Sequence, residues 1–273
     1  MSGSLPLAGW TIQVRSLGPV SFAQVGPPYD RTLTNRTAIK RPSMLFRHSP
    51  DIWRDFPELA AAVVFVTGIT ECASVDTSLS RLYGIAASRL NGGSESELPE
   101  IQAWRRAFSR MGLKPTQYRS ASEALLRRFR QDGALPRIHP LVDLCNALSL
   151  AFAIPVAVFD VSKVADHLEV RRAVGDETYL TFSGAVEAPE KGEVVFADGA
   201  GRCHARRWTN RQSGHSAVGP ESRDVLIVAE AMHDKAQDDV GTLVAATSEE
   251  IRDIWRCEPR AAVLSASSPQ FRF

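Results

Sequence analysis

The first fifty residues change apolar pattern repeatedly and contain six prolines. Proline restricts the backbone and removes a hydrogen-bond donor, so this pattern predicts an irregular extension over residues 1–50, with at most a short strand from Trp10 to Val14. The next run, residues 59–66, holds only apolar residues and ends at Thr67 and Gly68. Such a run is typical of a strand buried on both faces. A folded domain is therefore predicted from residue 51 onward.

In the segments that follow this predicted strand, apolar residues recur with the spacing of a helix. The segments 78–90 and 99–111 are predicted to be helices, separated by a polar loop. Ser120 precedes a third predicted helix, because Glu123 three residues later completes a capping box. Pro140 stands where a fourth helix can begin, since the first helical turn tolerates proline.

Beyond Pro155 the pattern becomes one of short strands separated by glycine, proline and aspartate. The predicted strands are 156–159, 167–172, 178–182, 193–197, 202–208 and 225–229. Apolar residues between positions 240 and 255 predict a helix covering this sheet, and residues 259–273 are expected to form a loose tail. Helices followed by strands and a closing helix predict one α/β or mixed α+β domain over residues 51–258.

Composition and charge narrow the class of protein. The chain has 273 residues, of which 44% are hydrophobic and 23% charged, values that exclude collagen, coiled coils and wholesale disorder. With 32 basic and 31 acidic side chains, any contact with nucleic acid must come from a local cluster. No apolar run reaches the ~20 residues of a membrane helix, and the start lacks an export signal. A cytoplasmic protein is therefore expected.

The sequence offers no self-sufficient catalytic or metal motif. The four cysteines lie more than fifty residues apart, which predicts reduced, buried thiols and neither a zinc knuckle nor a disulfide framework. Phosphate-binding, zinc-protease and serine-hydrolase signatures are all missing. Cys203 and His204 are neighbours on a predicted strand, so their side chains point to opposite faces and cannot form a catalytic pair. We therefore expect no metal and no cofactor.

Several ordered motifs resemble a known family. They are Leu-Pro-Arg-Ile-His-Pro-Leu-Val-Asp-Leu-Cys-Asn at 135–146, Ile-Pro-Val-Ala-Val-Phe-Asp at 154–160 and Leu-Glu-Val-Arg-Arg-Ala at 168–173, with further matches at 114–119, 122–128, 192–198 and 206–213. Together they resemble the B3/B4 domain, the editing module of the bacterial phenylalanyl-tRNA synthetase β subunit, in its stand-alone form. The resemblance runs from about residue 55 to 232. It implies a β/β/α sandwich with a mixed sheet and flanking helices.

The resemblance also implies a function. The family hydrolyses the ester that joins a wrong amino acid to its tRNA, and the stand-alone branch is associated with editing in trans, including removal of canavanine from arginine tRNA. The expected partner is mischarged tRNA, with neither DNA nor a membrane involved. The alternative is a tRNA-binding or small-molecule-binding module that kept the fold and lost catalysis. One departure matters here, because Ala157 stands where the synthetase site has a histidine.

Two residues near the matching motif are candidates for catalysis. Asn146 lies eleven positions before Ala157, as the family asparagine does before its histidine. Its amide can hold a water or the ester carbonyl, or it can bond to backbone at a helix end. Asp143 can anchor the substrate's α-amine, or it can merely pair with Arg137.

The remaining candidates fall into a substrate-binding and a tRNA-binding group. The substrate-binding candidates are Tyr118, Arg119, Ser122, Glu123, Asp160, Trp208, Asn210 and Gln212, and the tRNA-binding candidates are Arg127, Arg128, Arg207 and Arg211. Arginines can fork onto phosphates, and an indole can stack on a base.

Each of these candidates also has a purely structural interpretation. Trp208 can belong to the core, the arginines can be a solvated face, Arg119 can pair with Glu123, and Asp160 can hold the turn that follows it. In the functional interpretation, the loss of an imidazole at Ala157 and carboxylates from Glu123, Asp143 and Asp160 predict a pocket that prefers polar or arginine-like amino acids.

Overall fold

The computed structural model describes residues 44–273. Most of the predicted extension, including the segment from Trp10 to Val14, lies outside the described residues. The helices are α1 (Pro50–Asp55), α2 (Asp76–Leu90), α3 (Pro99–Arg110), α4 (Ala121–Asp132), α5 (Pro140–Phe152) and α6 (Ala236–Trp255). The strands are β1 (Leu45–His48), β2 (Ala60–Thr67), β3 (Val156–Asp160), β4 (His167–Arg172), β5 (Thr178–Leu180), β6 (Val186–Glu187), β7 (Val194–Asp198), β8 (Arg202–Arg206), β9 (Arg211–Gln212), β10 (Asp224–Ala231), β11 (Arg260–Leu264) and β12 (Gln270–Arg272).

The strands form two sheets. The larger sheet has the order β12-β1-β4-β7-β8-β5-β6, with β9 added beside β8. It is mixed, because β1 runs parallel to β4 and β5 runs parallel to β8. The smaller sheet has the order β11-β2-β10-β3, and its pairs are antiparallel. Strand β3 is thus an edge strand of the smaller sheet.

The two sheets and the helices form layers. Between the sheets, Phe159 of β3 stacks on Phe196 of β7 with ring centroids 5.3 Å apart. On its other face the smaller sheet packs against helices, with Ile227 of β10 in one buried cluster with Leu141 of α5 and Leu243 of α6. This is the predicted mixed α+β fold, a β/β/α sandwich.

The predicted helix starts of α4 and α5 are confirmed. Ser120 Oγ accepts a hydrogen bond from the Glu123 backbone N–H over 3.3 Å, the expected capping contact. The Glu123 side chain does not return to the backbone; it pairs with Arg105 on α3 instead. Helix α5 begins at Pro140, as predicted, and ends at Phe152, because the C-cap residue Ala153 has a left-handed conformation.

The ends of the described chain differ from expectation. The predicted loose tail contains β11 and β12, which pair with β2 and β1 respectively. Strand β1 lies inside the predicted extension and sits between β12 and β4 in the larger sheet. These strands have three to five residues, too few for an alternating pattern to be distinct from an irregular segment.

Two further predictions can be compared with the structure. The predicted strand 202–208 ends at Arg206, because Arg207 and Trp208 have positive φ angles of 46° and 59°. All four cysteines are free; Cys145 and Cys203 are buried as expected, whereas Cys72 is exposed and Cys257 half-buried. Within residues 44–273, no helix has the length and apolar character needed to cross a membrane.

Candidate functional site

Two small cavities flank strand β3. Strand β10 pairs with one edge of β3, and β3 ends the smaller sheet on the other side. Val156 and Gln212 line both cavities, so the two are neighbours. Ala157 belongs to the cavity between the two sheets, here called the inner cavity, and Asn146 to the cavity beside α5, here called the outer cavity.

The outer cavity is largely apolar, with two amides. Its volume open to the centre of a water molecule is about 40 Å³, enough for more than one water. The polar side chains are Asn146 from α5 and Gln212 from β9. The remaining lining residues are Ile138, Val142, Val156, Val158, Phe182, Ala217 and Val218.

The side-chain amide of Asn146 has no hydrogen-bond partner within residues 44–273. Asn146 is nevertheless buried, with 8% of its surface exposed. The expected alternative, a side chain that bonds to backbone at a helix end, is therefore not what the structure shows. A buried amide that faces a cavity with room for water is available to a water molecule or to a ligand.

The inner cavity contains a buried acid that the sequence interpretation missed. Glu230 of β10 is 2% exposed, and its Oε1 lies 2.6 Å from His48 Nε2 and accepts a hydrogen bond from Trp208 Nε1 over 2.9 Å. Among the described residues nothing bonds to Oε2. Thr209 also lines this cavity, and its buried Oγ1 has no partner. The inner cavity holds only about 10 Å³ of water-accessible volume, about one water.

Gln212 lines both cavities and shares the outer one with Asn146. Its side-chain Nε2 donates to the Val158 carbonyl on β3. Its own backbone carbonyl accepts a hydrogen bond from the Tyr179 hydroxyl over 2.9 Å. Gln212 is thus fixed at both its backbone and its side chain between β3 and the larger sheet.

The predicted catalytic Asp143 is engaged elsewhere. Its carboxylate accepts a hydrogen bond from Arg137 Nε over 2.8 Å and another from the Ile138 backbone N–H over 2.8 Å. It does not line either cavity. The pairing with Arg137 that the sequence left open as an alternative is the observed contact.

Glu123 and Asp160 are engaged in the same way. The carboxylate of Glu123, 1% exposed, binds Arg105 with two hydrogen bonds and lies 3.5 Å from Arg119 Nε. Asp160 accepts hydrogen bonds from Ser162 and Ser222. Burial raises the pKa of Asp160, but these hydrogen bonds and Lys163 outweigh burial and leave the pKa below its ordinary value.

The prediction that these carboxylates surround the pocket is wrong, because Asp143, Glu123 and Asp160 all lie outside the cavities. Nearby arginines and hydroxyls already bind their oxygens. The acid that does reach a cavity is Glu230.

Other substrate-binding candidates lie away from the cavities. Tyr118 packs under the guanidinium of Arg207, 4.7 Å from its ring centroid, in a separate groove. Ser122 is fully buried and bonds to Ser120 Oγ over 3.2 Å. Asn210 Nδ2 donates to the Arg119 carbonyl over 2.8 Å, which fixes the turn before α4. These contacts are structural.

Trp208 belongs to the core, the alternative that the sequence left open. It is 0% exposed and makes edge-to-face contacts with Phe56 and Trp104. A nucleobase therefore cannot stack on its indole, although Trp208 is among the residues that line the inner cavity.

The four predicted tRNA-binding arginines differ in their partners. Arg127 is exposed and forms no ion pair among the described residues. Arg128 pairs with Asp132 over 3.3 Å, and Arg211 lies 3.4 Å from Glu187. Arg207 packs on Tyr118 as described above. Of the four, Arg127 has the guanidinium most available to a phosphate.

Some of the missed residues carried a sequence signal. Glu230 is a single acid inside the otherwise apolar stretch from Val225 to Met232, and a buried acid in such a strand indicates a partner or a ligand. Thr209 and His48 carried no comparable signal in the sequence. Thr209 follows an irregular turn in which Arg207 and Trp208 have positive φ angles, and His48 lies in a strand of only four residues, so no periodic pattern marks either residue.

Comparisons with known proteins agree with these motifs. A family model described as the B3/4 domain matches residues 103–250, which is more than half of the chain and includes Asn146, Ala157, Gln212 and Glu230. The phenylalanine–tRNA ligase β subunit of Rhodopseudomonas palustris is 38% identical over 106 residues, which cover 38% of this chain and 13% of that protein. This chain thus matches only a small part of that relative's length.

A solved structure of an N-terminal fragment of the phenylalanyl-tRNA synthetase β subunit from Pyrococcus horikoshii is also similar. The TM-score is 0.42 at 9% identity, over 79% of this chain and 49% of that one. The family match over residues 103–250 decides the assignment: the chain belongs to the B3/4 domain family.

Proposed function

We propose that this protein hydrolyses the ester bond of mischarged aminoacyl-tRNA in trans, with the two cavities beside β3 as its reaction site. The observation that carries the proposal is Asn146, a residue 8% exposed that lines a cavity with room for water and whose side-chain amide has no hydrogen-bond partner among residues 44–273. The B3/4 family match and the similarity to a phenylalanine–tRNA ligase β subunit support tRNA as the partner class.

The reaction requires little from the protein. An aminoacyl ester is already activated, so a positioned water and a donor aimed at the developing oxyanion are sufficient. Water adds to the ester carbonyl carbon, the bond from that carbon to the ribose oxygen breaks, and the ribose oxygen takes a proton that originates from the water. The products are free amino acid and uncharged tRNA.

Asn146 supplies the positioning group in this proposal. Its Nδ2 can donate to the carbonyl oxygen as negative charge develops, while its Oδ1 can accept from the attacking water. A single preorganised donor of this kind typically contributes ~2–4 kcal/mol to the transition state. Gln212 lines the same cavity and is held by its hydrogen bond to the Val158 carbonyl, so in this proposal it forms the wall of the water site next to β3.

Glu230 is the proposed determinant of the amino acid. Its partners occupy Oε1, so Oε2 is available to a cationic or hydrogen-donating side chain. Ala157, in the same cavity, adds no competing donor. The inner cavity has the volume of about one water, so in this proposal a substrate side chain enters only if Gln212 gives up its hydrogen bond to the Val158 carbonyl. An arginine-like analogue such as canavanine fits this chemistry better than tyrosine does.

Arg127, Arg128, Arg207 and Arg211 are the proposed contacts to the tRNA backbone. Arg127 on α4 is exposed and unpaired among the described residues. A phosphate would exchange with the carboxylates that neutralise Arg128 and Arg211.

A panel of mischarged tRNAs tests the proposal. The panel contains arginine tRNA carrying canavanine and phenylalanine tRNA carrying tyrosine, and ester loss is followed under single-turnover conditions next to a filter-binding assay. The proposal predicts ester loss above the spontaneous rate for at least one substrate. Binding of tRNA without ester loss would support a tRNA-binding module without catalysis. Neither binding nor ester loss would mean that tRNA is not the partner of this protein.

A further inference from the structure

Three side chains that can bind metals meet away from the two cavities. Glu100 lies in the first turn of α3, His233 follows β10, and Asp239 lies in the first turn of α6. One ligand atom from each residue lies within 4.8 Å of the others. None of the three lines either cavity. Their separation in sequence, more than a hundred residues between Glu100 and the others, explains why no metal motif is visible in the chain.

Only some of the polar atoms in this cluster have hydrogen-bond partners. His233 Nε2 lies 2.7 Å from Asp239 Oδ2, and Glu100 Oε1 accepts a hydrogen bond from Arg89 Nη2 over 2.7 Å. Glu100 Oε2 and His233 Nδ1 are buried and have no partner among residues 44–273. Glu100 is 8% exposed and His233 is 7% exposed.

Helix dipoles explain part of this arrangement. Carboxylates are favoured in the first turn of a helix without any ligand, which accounts for the positions of Glu100 and Asp239. The dipole does not account for two buried polar atoms that lack a partner, because each loses its hydration without regaining a hydrogen bond. An ion bound by the Glu100 carboxylate would satisfy its Oε2. His233 meets Asp239 through Nε2, so Nδ1 would be the second nitrogen of a metal-bound imidazole, which binds an outer-shell acceptor or water.

We propose that Glu100, His233 and Asp239 hold a divalent transition-metal ion with the ligand preferences of Zn²⁺. Imidazole nitrogen and carboxylate oxygen are both ligand types that Zn²⁺ accepts, and water can complete the fourth position, whereas Mg²⁺ and Ca²⁺ prefer oxygen ligands throughout. Ligand bonds of ~2.0–2.2 Å place the ligand atoms of a tetrahedral site about 3.3–3.6 Å apart, so the three side chains, now within 4.8 Å of one another, would draw together around the ion. Arg89, on the other oxygen of Glu100, orients that carboxylate as outer-shell partners do at metal sites.

The ion would act as a structural clamp. It connects the start of α3, the segment after β10 and the start of α6, which belong to different layers of the sandwich. Binding to the folded state alone stabilises that state in proportion to the logarithm of ion concentration. This role is independent of the proposed hydrolysis, so either proposal can fail without the other.

The test uses the full-length chain after treatment with a chelator and dialysis. A calorimetric titration with ZnCl₂ is expected to show one equivalent bound, and thermal unfolding is expected to shift upward by about 5 °C or more at a hundredfold excess over Kd. Glu100→Gln and Asp239→Asn, both close in shape to the native residues, are expected to weaken binding by at least about tenfold. Asp238→Asn, an exposed neighbour on the same helix, serves as the matched control.

A Cys72→Ser background removes the exposed thiol as a competing ligand. Circular dichroism establishes that each variant is folded, and if Asp239→Asn does not fold, Glu100→Gln decides the question. The absence of stoichiometric binding would overturn the proposal. Equal affinity in Glu100→Gln and the Asp238→Asn control would also overturn it, because the ion would then bind elsewhere.

Discussion

The indole Nε1 of Trp208 donates a hydrogen bond to Glu230 Oε1 over 2.9 Å. This contact gives a fully buried tryptophan a polar partner and orients Glu230, the one acid among residues 44–273 that lines the inner cavity. His48 Nε2 approaches the same oxygen, so the Oε2 atom is left for the cavity. The core contact of Trp208 thus determines which oxygen of Glu230 is left without a partner in the cavity.

Glu230→Gln is expected to reduce discrimination in favour of an arginine-like amino acid. A neutral amide keeps the shape and can still accept from Trp208 and His48, but it no longer pairs with a cation. We expect the ratio of kcat/KM for canavanyl-tRNA(Arg) over tyrosyl-tRNA(Phe) to fall by about tenfold to a hundredfold. Single-turnover deacylation of both substrates measures the ratio.

Glu123→Gln is the matched control for that experiment, because Glu123 is bound by Arg105 and lies outside the cavities. Its ratio is expected to stay at the wild-type value. A larger change in Glu123→Gln than in Glu230→Gln would return the specificity role to Glu123.

Arginine substitutions are expected to change the salt dependence of tRNA binding. Each phosphate contact that is lost removes roughly one unit from the slope of log affinity against log salt. Arg127→Gln should therefore lower the slope by about one unit and the double substitution of Arg207 and Arg211 by about two. Filter binding between low and moderate salt measures the slopes.

Arg252→Gln, on the exposed face of α6 and paired with Glu258, is the control and should keep the wild-type slope. If the slope is unchanged in Arg127→Gln and in the double variant of Arg207 and Arg211, these arginines belong to a solvated surface and have no role in tRNA binding.

Acid is expected to destabilise the fold through Asp198. Burial raises the pKa of this carboxyl, but the His204 imidazole 3.2 Å away and hydrogen bonds from the Arg202 and Ala165 backbone N–H groups outweigh it. Together they hold the pKa at about 2, against 3.8 ordinarily. Because the pKa is lower in the folded state, the contribution of Asp198 to stability is complete above about pH 4. It is lost as the pH falls from there to about 2.

Asp198→Asn should therefore destabilise the protein at pH 5 by more than at pH 2.5. Urea unfolding across that range gives the two free energies of unfolding. Asp234→Asn, an exposed aspartate, should show no such difference. If Asp198→Asn lowers the free energy of unfolding by the same amount at both pH values, the charge of Asp198 does not stabilise the fold, and its contribution comes from the shape and hydrogen bonding of the side chain.

The sequence predicted the long elements better than the contacts among polar side chains. Helix α5 and strand β2 carry strong periodic or continuous apolar patterns, so local residues suffice to predict them. The role of Glu230 depends on His48 and Trp208, which are brought together by the packing of two sheets. Local patterns do not contain that information.

The predicted carboxylate pocket failed for a related reason. Asp143 and Glu123 have arginines within hydrogen-bond reach, and Glu123 binds Arg105 on another helix. Asn146, in contrast, was singled out by its motif and does line a cavity, but only the structure shows that its side chain has no hydrogen-bond partner within residues 44–273. The placement of Ala157 beside Glu230 follows from the antiparallel register of β3 and β10, which pairs Ala157 with Val228.

The most direct measurement compares single-turnover deacylation by the wild type, Asn146→Ala and Asn91→Ala. Asn146 makes no side-chain hydrogen bond among the described residues, so its removal should leave the thermal midpoint nearly unchanged, and Asn91 is an exposed asparagine at the end of α2. We expect Asn146→Ala to slow ester loss by about 30-fold to 1000-fold and Asn91→Ala to retain the wild-type rate. Ester loss at the same rate in all three proteins would contradict the assignment of the reaction to the cavities beside β3.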